Sequence, residues 1–148
     1  VVGENFRQQP PAFDQIKSLL SEYTHSLAIE AGAYGFIREE REYYDLLARC
    51  DVILSTAMHD FQGLALQEAC LADCTPLAPN DLAYPEYLPT DFLYDNELTT
   101  VDTAQLIVQR LKHLLALKKD GSALPKADLT RFTTEGLRTA YSELFSFG

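Results

Sequence analysis

Two acidic residues near the middle of the chain lie on either side of an expected helix start that follows a buried strand and a polar loop. Asp60 and Glu68 are separated by seven residues, and Gly63 lies between them at the expected start of a helix. The start of a helix presents unpaired N–H groups, and a glycine there lets a phosphate approach the backbone. The pattern therefore indicates a phosphate-containing ligand. Structural alternatives remain open, because Asp60 also suits a helix cap and Glu68 a solvent-facing helix position.

Other reactive side chains lie close to this pair. His59 precedes Asp60, and it either faces a ligand or packs within the loop. Cys70 and Cys74 are four residues apart and could share a helix face, but no histidine lies close in sequence to complete a zinc site. We therefore predict buried structural thiols and no metal. Three cysteines in all favour a reducing compartment, and we expect a cytoplasmic protein.

Short apolar runs alternate with helical patterns along the whole chain. The clearest strand pattern, 51–56, is apolar at consecutive positions, as in a strand buried on both faces. Pro76 would be awkward inside a central strand, so we expect it at the start of its own strand. The predicted strands are the one that ends at Val1-Val2, a short strand and turn at 33–37, and 51–56, 75–78 and 92–94. The predicted helices are 10–23, 39–49, 63–71, 103–118 and 129–144, with a single helical turn at 84–88.

This alternation predicts an α/β fold. We expect a Rossmann-like, doubly wound parallel sheet with helices on both faces, built from right-handed βαβ units. Ligands of such sheets bind beyond the carboxyl ends of the strands. The loop after strand 51–56 carries Asp60, so the predicted fold places the acidic pair at the expected ligand site.

The stretch from Asp60 to Ala69 resembles the E-x7-E motif of the retaining family 4 glycosyltransferases, which have the GT-B fold. Phe61-x-Gly63-Leu64 and Glu68-Ala69 match the motif's own steps. Weaker matches are Val2-Gly3-Glu4, Gly35-Phe36-Ile37 and Tyr43 to Val52, so the resemblance covers most of residues 1–94. A narrower resemblance is to the tRNA-queuosine mannosyltransferases. This resemblance rests on the residues Ser55-Thr56-Ala57-Met58-His59 and Tyr84-Pro85-Glu86.

The resemblance implies a role for each matching position. Glu68 is expected to bind the ribose hydroxyls of a donor nucleotide, and Asp60 a hydroxyl of the donor sugar. Gly63 and Leu64 are expected to offer N–H groups to the diphosphate, and Phe36 and Ile37 to border the base. The family usually has Glu where this chain has Asp60. The carboxylate is therefore retracted by about 1.5 Å, and the loop must move or a water must bridge.

The resemblance also implies that residues 1–148 are the C-terminal nucleotide-sugar-binding domain of a longer enzyme. An N-terminal acceptor domain, a first strand and the Arg and Lys that bind the diphosphate would then precede residue 1. Arg7 could reach a phosphate, although a surface position is the more ordinary place for an arginine. The expected donor is GDP-mannose, with no cofactor. The possible tRNA acceptor would be bound mainly by the missing domain.

Charge and hydropathy limit the remaining function classes. The formal net charge of −10 disfavours binding of a phosphate backbone by this stretch alone. No apolar run approaches the roughly 18–20 residues that span a bilayer, so no membrane span is expected. Two alternatives stay open. One is a non-catalytic nucleotide-binding module, and the other is a protein-interaction domain on a doubly wound scaffold.

Overall fold

The structure, a computed structural model, describes residues 12–27 and 35–146. Three of the sequence predictions fall outside these residues: the strand end at Val1–Glu4, the possible phosphate contact of Arg7, and the Ala33-Tyr34 part of the short strand. The chain divides into two compact units, Val1–Asp45 and Leu46–Gly148. The prediction of one nucleotide-sugar-binding domain over 1–148 stays a prediction.

The first unit contains the helix α1 (Ala12–Leu27) and most of the helix α2 (Glu40–Leu47). Both helices carry acidic residues in their first turns, where a carboxylate interacts favourably with the helix dipole. The predicted helices at 10–23 and 39–49 are confirmed to within a few residues. The described part of the predicted strand at 33–37 contains a single bridge residue, Gly35, whose φ is 98°.

The second unit is built on a three-stranded parallel sheet. Its strands are β1 (Val52–Leu54), β2 (Thr75–Pro79) and β3 (Leu93–Tyr94), in the order β1-β2-β3. Ile53 lies opposite Pro76, and Ala78 lies opposite Leu93. The strands alternate with helices along the chain. The α/β class with a parallel, helix-flanked sheet is therefore confirmed.

One detail of the sheet corrects the sequence predictions. Every residue of β2 is buried, whereas Leu54 of β1 is 38% exposed, because in the described residues β1 pairs on one side only. The fully buried strand is therefore β2.

Pro76 is the second residue of β2, so its expected place at the start of the strand is confirmed. The Thr75 amide and the Leu77 carbonyl bond to the β1 side, so the ring nitrogen of Pro76 faces the β3 side. The pairing with β3 begins only at Ala78, and no ladder bond is therefore lost there.

Three helices complete the second unit: α3 (Leu64–Leu71), α4 (Thr100–Lys119) and α5 (Thr134–Phe145). The predicted start of α4 at 103 is three residues late, because the Thr99 hydroxyl caps the helix by accepting from the Asp102 amide. The end of α4 is confirmed, since Gly121 adopts a φ of 74° and its amide donates back to Lys118.

The predicted helix at 129–144 is two elements. Residues Thr130–Phe132 form a single 3-10 turn, and α5 follows after the Thr133 cap. Phe132 packs on the ring of Tyr87, with 6.0 Å between ring centroids. It therefore belongs with the core, and not with the exposed apolar side chains of α5. The buried core of the unit consists of Leu66, Cys70, Ala78, Tyr84, Tyr87, Leu88, Phe92, Leu93 and Leu129.

None of the helices in the described ranges combines the length and the apolar character needed to cross a membrane.

Candidate functional site

The loop between β1 and α3 lies at the carboxyl end of β1, where parallel sheets of this kind bind ligands. Asp60 organises it. The Asp60 Oδ1 atom accepts hydrogen bonds from the amides of Gly63, at 2.7 Å, and Gln62, at 3.2 Å. An aspartate commonly closes such a turn with backbone amides two and three residues further along. Asp60 therefore closes the turn that leads into α3. It is not the cap of that helix, because the N-cap is Gly63 and no side chain caps it.

The second oxygen of Asp60 is held by a buried tyrosine. The Tyr84 hydroxyl donates to Asp60 Oδ2 at 2.9 Å and lies 2.8 Å from the Ser55 hydroxyl. Because a phenol has one proton and gives it to the carboxylate, Ser55 must be the donor to Tyr84. The Ser55 oxygen in turn accepts from the Ala57 amide at 3.3 Å. The hydrogen bonds therefore run in one direction, from Ala57 through Ser55 and Tyr84 to Asp60.

Burial keeps this tyrosine in its donor form. Tyr84 is 1% exposed. Burial, opposed in part by the Ser55 hydrogen bond and reinforced by that to Asp60, raises the pKa of Tyr84 to about 12. The phenol is therefore protonated at neutral pH. Its hydrogen bond to the carboxylate is charge-assisted and stronger than one between neutral groups.

Gly63 is required by the backbone and by the tyrosines behind it. Its φ of 65° is a left-handed conformation that side chains rarely adopt. A Cβ atom at this position would lie 2.2 Å from the Tyr87 hydroxyl oxygen and 2.8 Å from the Tyr84 ring. The Gly63 amide, which the resemblance assigns to a diphosphate, donates to Asp60 in this structure. Its role toward a ligand stays a prediction.

The helix α3 carries the second acidic residue. Leu66, Ala69 and Cys70 face the core, while Glu68 is half-buried on the same helix. The amide of Leu64 belongs to the first turn, whose N–H groups have no preceding helical carbonyl. The ribose contact of Glu68 and the diphosphate contact of Leu64 are not contradicted by this placement, and they stay predictions.

The rim of the loop is exposed. His59 lies at the surface, so the alternative of a packed loop histidine is wrong for this structure. Its contact with a sugar or acceptor stays a prediction. Phe61 is 100% exposed, and Met58 and Leu64 are also exposed. Apolar side chains around a polar centre are typical of ligand and interaction sites.

Phe36 and Ile37, the predicted neighbours of the base, belong to the first unit. Phe36 is exposed and Ile37 is half-buried. Their contact with a base stays a prediction.

The two free cysteines in α3 and in the turn after it have a structural role. Cys70 and Cys74 are both buried, as predicted, whereas Cys50 is exposed. Burial raises the pKa of the Cys70 thiol to about 12. The Cys74 thiol donates to the backbone oxygen of Cys50 at 3.3 Å. Protonated thiols bonded to backbone are poor metal ligands, because a metal binds the thiolate.

The tyrosines behind the loop were not predicted as part of the site. Tyr84 belonged to the Tyr84-Pro85-Glu86 step of the resemblance, with no role assigned to it. The available signal was the spacing of Tyr84 and Tyr87, which places both rings on one side of a helical turn. That they back the Asp60 loop required the tertiary structure.

Comparison with known proteins shows what the chain is similar to. No protein-family model matches the chain, and no solved structure matches it. Among curated proteins, the chain is similar to the tRNA-queuosine alpha-mannosyltransferase of Drosophila melanogaster, with 27% identity over 151 aligned residues. The alignment covers 99% of the chain and 36% of that enzyme, so the chain spans about a third of its relative's length. The narrower resemblance identified from the motifs is confirmed.

Proposed function

We propose that this chain is the donor-binding half of a retaining glycosyltransferase. The observation that carries the proposal is the loop between β1 and α3, which holds the Asp60 carboxylate in front of the helix that bears Glu68. The site lies at the carboxyl edge of a parallel sheet. Similarity over almost the whole chain to an enzyme named as a mannosyltransferase supports a role in glycosyl transfer.

Each site residue has a proposed task. Glu68 accepts hydrogen bonds from the ribose hydroxyls, and the Leu64 amide donates to the diphosphate. Gly63, which is itself buried, contributes through the left-handed turn that leads into α3. Phe36 and Ile37 border the base. These two hydrophobic residues are assigned by the family resemblance alone.

The proposed chemistry is electrostatic. Sugar transfer requires the departure of a diphosphate and the transient stabilisation of positive charge on the sugar ring. N–H donors aimed at the leaving group stabilise that charge separation in the transition state. Asp60 and Glu68 position the donor and form no covalent bond with it. His59 faces the reacting sugar or the acceptor. The proposal includes no metal and no cofactor.

The finer assignment is mannose transfer from GDP-mannose to queuosine in tRNA, in the cytoplasm. It rests on the relative's name and on the motif resemblance. The acceptor would be bound mainly by the rest of the complete protein. The formal net charge of −10 on this chain agrees with that division, because such a surface repels a phosphate backbone.

The direct test is an NMR titration of the chain with GDP, GDP-mannose, UDP and UDP-glucose. We expect GDP and GDP-mannose to shift the amide signals of residues 60–68, with weak affinity, and the Glu68→Ala variant to respond less. Binding of the UDP compounds instead would contradict the assignment of the base. A chain that responds to no nucleotide at millimolar concentration would contradict the donor site.

A second assay distinguishes a glycosyltransferase from the two alternative functions. The complete protein is incubated with GDP-mannose and queuosine-containing tRNA, and mannosylated tRNA is measured. Nucleotide binding without any transfer would favour the non-catalytic nucleotide-binding module. Absence of both would favour the protein-interaction domain.

A further inference from the structure

The Asp60 carboxylate is almost saturated by the protein itself. An ionised carboxylate offers about four acceptor positions. Oδ1 receives two backbone amides, and Oδ2 receives the Tyr84 hydroxyl. One acceptor position therefore remains, and it is on Oδ2. A ligand of Asp60 must therefore donate its hydrogen bond to Oδ2, the oxygen that also accepts from Tyr84.

The Tyr84 hydroxyl is itself fixed. Its ring is buried, makes an edge contact with Tyr87 at 6.2 Å between centroids, and lies directly behind Gly63. The Ser55 hydroxyl occupies an acceptor position of the phenol oxygen and so directs the phenol proton away from Ser55. A tyrosine held in this way adds a third hydrogen bond, on the oxygen opposite the two amides. It therefore restricts the rotation of the carboxylate about its Cβ–Cγ bond more tightly than the two amides on Oδ1 do alone.

We propose that Tyr84 is a positioning residue of the donor site, which orients Asp60 so that the remaining acceptor position on Oδ2 receives a hydroxyl of the donor sugar. The inference rests on the proposed function and deepens it. It also accounts for the aspartate at this position. An aspartate closes the turn on the Gly63 amide and reaches the tyrosine with its other oxygen, which is how the shorter side chain is held.

The test uses the complete protein and the Tyr84→Phe variant, which removes one hydroxyl and keeps the ring behind Gly63. We expect transfer from GDP-mannose to fall about 10-fold, because small misplacements of a positioning group cost rate steeply. The affinity for GDP alone should stay unchanged, since GDP lacks the sugar. In the Tyr84→Phe/Asp60→Ala double variant, transfer should equal that of Asp60→Ala, because Tyr84 acts through Asp60.

Tyr94→Phe is the matched control. It removes a buried phenol hydroxyl that donates to the Ser55 backbone oxygen at 2.9 Å and does not contact Asp60. Its turnover should equal that of the wild type. The inference alone fails if the wild type is active and Tyr84→Phe is undiminished, if Tyr84→Phe weakens GDP binding as much as transfer, or if the two substitutions are additive. A wild type that neither binds nucleotide nor transfers sugar overturns the proposed function first and the inference with it.

Discussion

At Gly63 the fold leaves no space for a side chain. The left-handed φ of this residue and the two tyrosines behind it act together, so the Gly63→Ala substitution should destabilise the chain by about 2–5 kcal/mol through strain and overpacking. Gly121 is the matched control, with a φ of 74° and open space around it. Gly121→Ala should cost only the backbone strain, about 1–2 kcal/mol. Urea unfolding of both variants measures the difference. Equal losses in the free energy of unfolding would show that the tyrosines move to make room for the added Cβ atom.

Glu68 is the residue on which the donor assignment depends most. In the complete protein we expect Glu68→Ala to lower sugar transfer by about 100-fold, through lost charge-assisted hydrogen bonds and misplacement of the donor. The fold should survive, because Glu68 is half-buried on α3 and lies outside the core cluster. Glu135→Ala, which removes an exposed carboxylate from α5, is the control for loss of charge. Full activity in a folded Glu68→Ala protein would remove the residue from the site.

Elements that carry a local signal were predictable from the sequence, and elements set by their neighbours were not. Gly121 marked the end of α4 because a left-handed residue after a helix is a backbone requirement. The start of α4 was missed because the capping pair uses Asp102, and the usual partner is Glu or Gln. Which strand is central depends on the pairing, so the apolar run of β1 gave no warning that β2 would be the buried one.

The candidate site divides in the same way. The acidic pair and Gly63 could be identified from their spacing, because the strand–loop–helix context is local in sequence. The support of Asp60 could not, since Tyr84 is 24 residues further along and its hydroxyl reaches the loop only through the fold. Pattern alone also left the cap and ligand interpretations of Asp60 as alternatives, whereas in the structure Oδ1 closes the turn before α3 and Oδ2 keeps one acceptor position.

The capping of α4 gives a test at the scale of one element. The Thr99 hydroxyl accepts from the Asp102 amide at 3.2 Å and donates to its carboxylate at 2.6 Å. Thr99→Ala should lower the free energy of unfolding by about 1 kcal/mol. Thr100→Ala, at the next position, removes a hydroxyl that does not cap the helix and should change it by less than about 0.5 kcal/mol. Urea midpoints of the pair decide whether α4 begins at residue 100 or later.

The segment from the turn at Tyr84–Glu86 to β3 predicts an alkaline limit to stability. It buries Tyr84, Tyr87 and Tyr94, and burial raises the pKa of each phenol. Below the ordinary phenol pKa of about 10, the folded and unfolded states bind the same number of protons. The stability that these protonated phenols contribute is therefore fully present. Above this pKa the unfolded chain ionises first, and stability falls as the pH approaches the folded pKa, about 12 for Tyr84.

The buried thiol of Cys70 has the same effect on stability. It ionises first in the unfolded chain, so stability falls as the pH rises above the ordinary thiol pKa of 9.0. We therefore expect the urea midpoint to be level between pH 7 and 8 and to fall steadily from pH 9 to 11. Tyr84→Phe should make the fall shallower. A midpoint that stays constant to pH 11 would contradict the burial of these groups.

At the scale of the whole molecule, two of the places where the chain exposes apolar side chains bear on its proposed function. Around the proposed site these are Met58, Phe61 and Leu64. On α5 they are Leu137, Tyr141, Leu144 and Phe145, of which Phe145 is 77% exposed. Exposed apolar groups that cluster in this way are typical of surfaces that pack on something else. We expect the α5 side chains to pack on the acceptor half of the complete protein.

The last prediction is that these 148 residues fold and transfer no sugar. Folding is expected because the parallel sheet and its helices enclose a contiguous core in the second unit. Inactivity is expected because the chain spans about a third of the length of the similar mannosyltransferase, and the proposed function places the acceptor site in the rest of the complete protein. Without the Arg and Lys that the resemblance places before residue 1, the leaving group loses part of its charge stabilisation. Together with the lost positioning of the acceptor, this costs several kcal/mol of barrier. Mannose transfer to queuosine-containing tRNA, assayed on the chain and on the complete protein, gives the comparison. Circular dichroism must show that the chain is folded, and substantial turnover by the chain alone would mean that its own residues suffice for catalysis.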